Sequence, residues 1–322
     1  MNPDPQVTTL GFDIGGTNVR AGVVTADGEI IDSRSGATPG TAAELEDLIA
    51  SMVAELSVKH QPAAVGLAIA GFLDPECETV RFAPHLPWRD AQVRRDLQER
   101  LKLPVKLEHD ANSAAWGEYR FGGARNVGTW VFFAVGTGIG ATLMIDGKIY
   151  RGAHGTAPEF GHLTVVPGGR QCACGKRGCL ERYASGTALV ETAIEVIERD
   201  PSLRDCELGR RIQANPGEIT GNDIMIAARN SDIAGLAVIA EFAEWLGQGL
   251  AIVADVLDPA LILIGGGVSR DADLYLDISK GKMARSIVGA GYRPLPDIVG
   301  AELGADAGMI GVADLARQHT IS

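Results

Sequence analysis

Basic residues are in short supply in this sequence: 29 lysines and arginines face 41 aspartates and glutamates, for a formal net charge of −12. Nucleic-acid binding relies on a basic face, so no nucleic-acid partner is expected, and the acidity reads as an aid to solubility. No apolar run is expected to reach the length that spans a bilayer. The opening "MNPDPQVTTLGFDIGG" has neither a basic region nor a long apolar segment. A secretory leader and membrane attachment are therefore not expected, and the chain reads as cytoplasmic. Cysteines number five, and an odd count in a reducing compartment argues against a disulfide framework. Also missing are a low-complexity stretch, a flexible linker, the G-x-x-x-x-G-K-[ST] phosphate loop and a dinucleotide fingerprint leading into a helix. What is present is 46% apolar residues over a length that allows two domains, each with its own core.

The start reads as a meander of strands. "TLGFDI" and "VRAGVVT" flank the glycine turn "GGTN", and Asp27-Gly28 signals a hairpin before "EIIDS". Thr41 with Glu44 makes a capping box, and Leu45, Leu48, Ile49, Met52 and Leu56 share one helical face. "AAVGLAIAG" (63–71) and "VKLEHD" (105–110) read as strands, with "ANSAAWGEYRF" as a helix after the second. Residues 132–152, "FFAVGTGIGATLMIDGKIYRG", then repeat the opening logic of strand, glycine turn, strand and aspartate–glycine hairpin. Thr17 to Gly28 is eleven positions and Thr137 to Gly147 is ten, which points to an internal duplication. An apolar-faced helix over 234–257 and a buried strand in "ALILIGGG" (260–267) follow. The domain change is expected near residue 121, giving an N-terminal α/β domain over 1–121 and a C-terminal one over 122–305. A last helix, about 306–322, is a candidate to pack back on the first domain.

Glycine-rich turns let backbone N–H groups approach an anion, because no side chain blocks the way. In "DIGGTN", Asp13 precedes Gly15, Gly16 and Thr17; the aspartate could hold Mg²⁺, usually through water, while Thr17 donates to a phosphate. Gly136, Thr137, Gly138 and Gly140 form a second such loop. Either loop alone is as readily a plain tight hairpin; the duplicated pair suits a clamp on a polyphosphate. A third cluster, Gly265, Gly266 and Gly267, follows the buried strand, where backbone could approach a nucleotide's base and ribose. Asp110 stands where a strand meets a helix. That is the place of an N-cap, and also of a general base taking a proton from an attacking hydroxyl.

Three of the five cysteines fall within eight positions, in "HLTVVPGGRQCACGKRGCLE" (162–181). His162, Cys172, Cys174 and Cys179, at spacings of ten, two and five, are the ligand types that tetrahedral zinc prefers, and four protein ligands make a closed, structural site. No C-x-x-C precedes a helix, so a redox pair is disfavoured. Glu159 and Glu181 flank the loop. Exposed glutamates are usually solvated, but two carboxylates and a histidine fixed around a metal also suit hydrogen bonding to a sugar's neighbouring hydroxyls.

"DIGGTN", "EFGH" and "CACGKRGCLE" together resemble the ROK family of repressors and sugar kinases, in motif order over nearly the whole chain. "EHDANSAAWGEYRFGG" and "FAPHLPWRD" are most like the actinobacterial glucokinases of that family. The resemblance implies an actin-like, hexokinase-type fold of two α/β domains around a cleft, and a homodimer or homotetramer. It implies phosphoryl transfer from MgATP to the 6-hydroxyl of glucose, with Asp110 as base. It places sugar contacts at Gly71, Glu159, His162 and Glu181, with His162 using one ring nitrogen for zinc and the other for sugar. Two positions depart from the common pattern: His109 and His85 stand where many family kinases carry asparagine, and His109 could still donate to a sugar oxygen. A side chain added at Gly138 is expected to weaken ATP binding and spare glucose. Other hexoses, polyphosphate as donor, and a sugar-binding repressor are the alternatives. The repressor is disfavoured because the first glycine turn at Gly15 leaves no room for a helix-turn-helix ahead of it.

Overall fold

Short apolar stretches broken by glycine turns build the first sheet. In the computed structural model, which describes residues 7–321, β1 (Thr9–Ile14), β2 (Asn18–Val24) and β3 (Ile30–Ala37) form an antiparallel meander. Gly28 turns its second hairpin at φ +83°, a backbone region that costs glycine nothing. Helix α1 (Ala42–His60) starts at Thr41, whose hydroxyl accepts the Glu44 N–H, and buries Leu45, Ile49, Met52, Val53 and Leu56. Strand β4 (Val65–Ile69) is buried throughout and pairs parallel with β1. A small antiparallel sheet follows: β5 (Phe72–Leu73), β6 (Val80–Phe82) and β7 (Arg89–Ala91). Then come α2 (Val93–Leu101), β8 (Val105–His109), parallel to β4, and α3 (Asp110–Phe121).

The second sheet begins with β9 (Trp130–Val135), β10 (Ile139–Ile145) and β11 (Lys148–Tyr150). After it come α4 (Gly186–Arg199), α5 (Glu207–Ala214), α6 (Gly221–Arg229) and α7 (Ile233–Leu257). The chain ends with β12 (Leu261–Gly265), α8 (Ala272–Ser286), β13 (Asp297–Gly300) and α9 (Ala307–Ile321). The sheet orders are β3-β2-β1-β4-β8 and β11-β10-β9-β12-β13. Each is a meander whose first strand pairs in parallel with a further strand, which pairs in parallel with another, so the duplication read from two glycine turns extends to sheet topology. The fold is α/β with two mixed five-stranded sheets.

By packing, the described chain forms two units. Unit 1 holds 7–129, 142–158 and 301–321; unit 2 holds 130–141 and 159–300. The first division falls after Thr129, a little beyond the change expected near 121, and 142–158 belong with unit 1. Helix α9 packs on α3, β1 and β4. It can do so because Gly22, Gly11 and Gly66 are register partners in a row across the sheet. A Cβ on Gly11 would stand 2.0 Å from the Met309 carbonyl oxygen, and one on Gly66 2.2 Å from that of Val312. Within unit 1, the buried Arg317 pairs with Asp314 (2.9 Å) and donates to Thr9 Oγ1 and to the Val24 and Thr25 carbonyls.

Among the described residues one helix, α7, is long and apolar enough to cross a membrane, against the expectation that no segment would be. Its apolarity has another use, since residues such as Val238, Phe242, Leu246 and Leu250 are buried and the helix packs against α4, α6 and α8.

Candidate functional site

In unit 1, three neighbouring parallel strands end together. Their register sets Asp13 beside Ala68 and Glu108, and Ile14 beside Ile69 and His109. The turn at Gly15–Thr17, the Gly71 bend and the start of α3 therefore lie at the carboxyl edge of the sheet, where open α/β sheets bind ligands. The Gly15 N–H closes the turn on the Asn18 carbonyl (3.0 Å), and Thr38 steadies it through its hydroxyl to the Gly15 carbonyl (2.6 Å). Gly16 lies against His85, whose Cβ would be 2.5 Å from an added Cβ; at Gly71 the Ala83 Cβ would be 2.8 Å away. Burial, then the Asp110 charge, pushes the Asp13 carboxyl up to about 6, against a smaller opposing pull from Arg20. A cation beside Asp13 would restore its charged form.

Asp110 is the first residue of α3 and not its cap. His109 holds the cap position without a side-chain cap bond, and the Asp110 carboxylate accepts the Ala111 N–H (2.7 Å). The helix N-terminus favours a negative charge there. His109 Nδ1 lies 3.2 Å from Asp110 Oδ1, and the Asp110 side chain is 45% exposed, open to a reactant.

In unit 2, the sequence motifs converge on two places. The first is the metal loop: the ligand atoms of His162, Cys172, Cys174 and Cys179 all lie within 4.8 Å of one another. His162 Nδ1 is 3.7 Å from Cys172 Sγ, and the Cys174 and Cys179 sulfurs are 3.7 Å apart. Zn–S bonds of about 2.3 Å in a tetrahedron give ligand–ligand edges of roughly 3.8 Å, close to the two 3.7 Å separations, so the donor set and its spacing suit such an ion. Burial, then the neighbouring sulfurs, pushes the Cys179 thiol up to about 12, so metal binding must displace its proton. His162 Nε2 faces Glu159 Oε2 at 3.9 Å, leaving the two ring nitrogens with different surroundings. Glu181 is not a free surface carboxylate: its Oε2 accepts the Ile139 N–H (2.9 Å), just after the second glycine turn.

The second place is a cavity of about 340 Å³, lined by Gly136, Thr137 and Gly267. Gly138, Gly140, Gly265 and Gly266 are not in its lining: Gly138 abuts Glu181, Gly140 sits within β10, and Gly266, at φ +83°, abuts the Val135 carbonyl. Residues that motif reading missed complete the wall, among them Thr187 and Gly221 at the starts of α4 and α6, with Asn222 and Met225. The available signals were Ser185-Gly186-Thr187 and Thr220-Gly221-Asn222, each a capping hydroxyl followed by glycine. The turn is held from α4: Gly186 N–H donates to the Gly136 carbonyl (2.7 Å) and the Thr187 hydroxyl to that of Thr137 (2.6 Å). Helix N-termini attract anions, and the cavity presents two of them beside apolar Leu189, Met225 and Val268. That combination suits a molecule with an apolar ring and phosphates.

Two sheets of matching strand order, a carboxylate at a parallel strand end and a His–Cys₃ loop define a two-unit α/β protein. The ROK family pattern matches residues 9–319, and the chain belongs to that family. It is 41% identical over 310 residues to a glucokinase of Streptomyces coelicolor, covering 96% of this chain and 98% of that protein. It is similar to the crystal structure of a ROK family glucokinase from Streptomyces griseus in complex with glucose and AMPPNP, with a TM-score of 0.85 at 42% identity, over 97% of this chain and 99% of that one. The ROK hexokinase from Thermus thermophilus gives 0.77 at 29% identity, over 98% and 99%.

Proposed function

We propose that this chain is an ATP-dependent glucokinase, transferring the γ-phosphoryl group of ATP to the 6-hydroxyl of glucose. The observation that carries the reading is its similarity to the Streptomyces glucokinases along nearly the full length of both chains. Asp110 takes the proton of the 6-hydroxyl as its oxygen attacks the γ-phosphorus. The bond to the β-phosphate oxygen breaks, and glucose 6-phosphate and ADP leave. Glu159, His162 and Glu181 accept and donate hydrogen bonds to the sugar's ring hydroxyls, with Gly71 and His109 as further sugar contacts. Gly136, Thr137 and Gly267 line the ATP cavity; Gly138, Gly140, Gly265 and Gly266 support its backbone. Gly15, Gly16 and Thr17 serve the phosphates, and Asp13 would hold Mg²⁺ through water. That ion, when bound, neutralises phosphate charge. Zn²⁺ on His162, Cys172, Cys174 and Cys179 is structural. The enzyme is cytoplasmic and assembles as a homodimer or homotetramer.

A coupled assay crossing a panel of hexoses and N-acetylated amino sugars with ATP and polyphosphate tests the reading. Glucose with ATP is expected to give the highest kcat/KM. A higher value for another sugar, or turnover with polyphosphate alone, sinks it.

A further inference from the structure

The proposed reaction does not use the most deeply buried charged pair beside Asp110. Glu108, two residues before it, is fully buried, and such a carboxylate is costly unless its oxygens are all satisfied. They are. Oε1 accepts from Asn112 Nδ2 (2.9 Å), the His109 backbone N–H (3.1 Å) and Arg151 Nε (3.3 Å), and Oε2 accepts from Arg151 Nη2. The guanidinium thus grips the carboxylate with two nitrogens, a strong and directional arrangement. Burial alone would lower the Arg151 pKa; the facing Glu108 more than offsets this and raises it. Asn112 is fixed in turn, its Oδ1 accepting from Thr142 Oγ1 (2.9 Å). Cys77 Sγ lies 3.9 Å from Glu108 Oε1 as a further donor.

We propose that Arg151 and Glu108 are positioning residues for Asp110, setting the direction of its carboxylate by fixing the first turn of α3. The inference rests on the reading of Asp110 as general base. Glu108 ties down the N–H of the residue before Asp110 and the side chain of the residue two after it, so the turn carrying the base is held from both sides. Arg151 lies just beyond β11, far from α3 in sequence, and balances the charge that makes this grip possible. A buried ion pair stabilises a fold little compared with apolar residues of the same shape, but it fixes geometry, and a misplacement of about 1 Å can cost roughly 10²-fold in rate.

The test measures kcat, KM for glucose and helical circular dichroism on the full-length enzyme. It compares Arg151→Met, Arg151→Lys, the double variant Glu108→Gln/Arg151→Met, and Asp110→Asn. Arg151→Met is expected to lower kcat about 10–100-fold with KM for glucose within about threefold. Arg151→Lys should recover part of the loss. The double variant should exceed Arg151→Met, because it leaves no buried charge unpaired. A folded Arg151→Met enzyme with kcat within about twofold of the parent, or one that changes only KM, overturns the inference. If Arg151→Met does not fold, Arg151→Lys and the double variant decide: lowered kcat with unchanged KM supports the positioning role, and parental kcat in both overturns it. An active Asp110→Asn enzyme instead overturns the base assignment, whereas inactive Asp110→Asn beside fully active Arg151→Met overturns the positioning role alone.

Discussion

A side chain at Gly138 would have to displace Glu181. A Cβ there would stand 2.2 Å from Glu181 Oε2, the oxygen that accepts the Ile139 N–H. A substitution expected to weaken ATP binding and spare glucose would thus also reach glucose if Glu181 is the sugar contact proposed, because the first atom displaced is its Oε2. Gly138→Ala is predicted to raise KM for glucose at least as much as KM for MgATP; steady-state kinetics showing only the MgATP value changed would free Glu181 from this role. Asp110 invites a cleaner test. An asparagine at 110 can still accept the Ala111 N–H, so the thermal midpoint should move little, as for a change worth under about 1 kcal/mol at a helix start. It cannot take a proton, and kcat is predicted to fall about 10²–10⁴-fold with glucose still bound. Near-parental kcat with a lowered midpoint would leave Asp110 a helix-start residue only.

The metal loop shows how one element can organise several contacts. Cys179 leads directly into the turn carrying Glu181, and Leu180 N–H bonds back to the Leu163 carbonyl, next to His162. Glu159 and His162 stand at the loop's other end. Cys179→Ser is predicted to lose about one zinc per chain and to raise KM for glucose about tenfold or more, the equivalent of about 1.4 kcal/mol. KM for MgATP should move less, because α4 also holds the Gly136 turn, through Gly186 and Thr187. Metal analysis with glucose titration decides it: zinc lost with glucose affinity intact would uncouple the two, and a parent protein without zinc would remove the site. This loop could be read from sequence because all four ligands are local, and so could the meanders, whose turns need Gly28 and Gly147 at positive φ. The cavity wall could not. Thr187, Asn222 and Met225 sit on helices whose starts meet only because Gly221 lacks a Cβ, which would come 2.6 Å from the Gly186 carbonyl. The β5–β7 sheet, with strands of two or three residues, is too short to carry a period.

Chain order and packing order differ across the molecule, and the difference has a consequence for folding. Unit 1 takes its last helix from the far end of the sequence, after all of unit 2 has been made. Without α9, the glycine row of β2, β1 and β4 has no partner, because glycines bury a sheet face only when a backbone lies against them. Glu118, fully buried, would also lose the N–H groups of Glu302 and Leu303 that satisfy it, and Thr9 would lose Arg317. Glu118 would keep only the Gly123 N–H on Oε2, and a buried carboxylate left so under-satisfied costs several kcal/mol, a large fraction of ordinary domain stability. In unit 2, by contrast, the zinc ligands, the Gly136 turn and α7 with its neighbours all fall between 130 and 300. Ending the chain after Gly300 is therefore predicted to abolish kinase activity and amide-exchange protection in β1, β2 and β4, while about one zinc per chain is retained. Exchange mass spectrometry with metal analysis separates the outcomes. Protected β1, β2 and β4 in the shortened chain would show that unit 1 folds without its last helix, and loss of zinc would show that unit 2 depends on it as well.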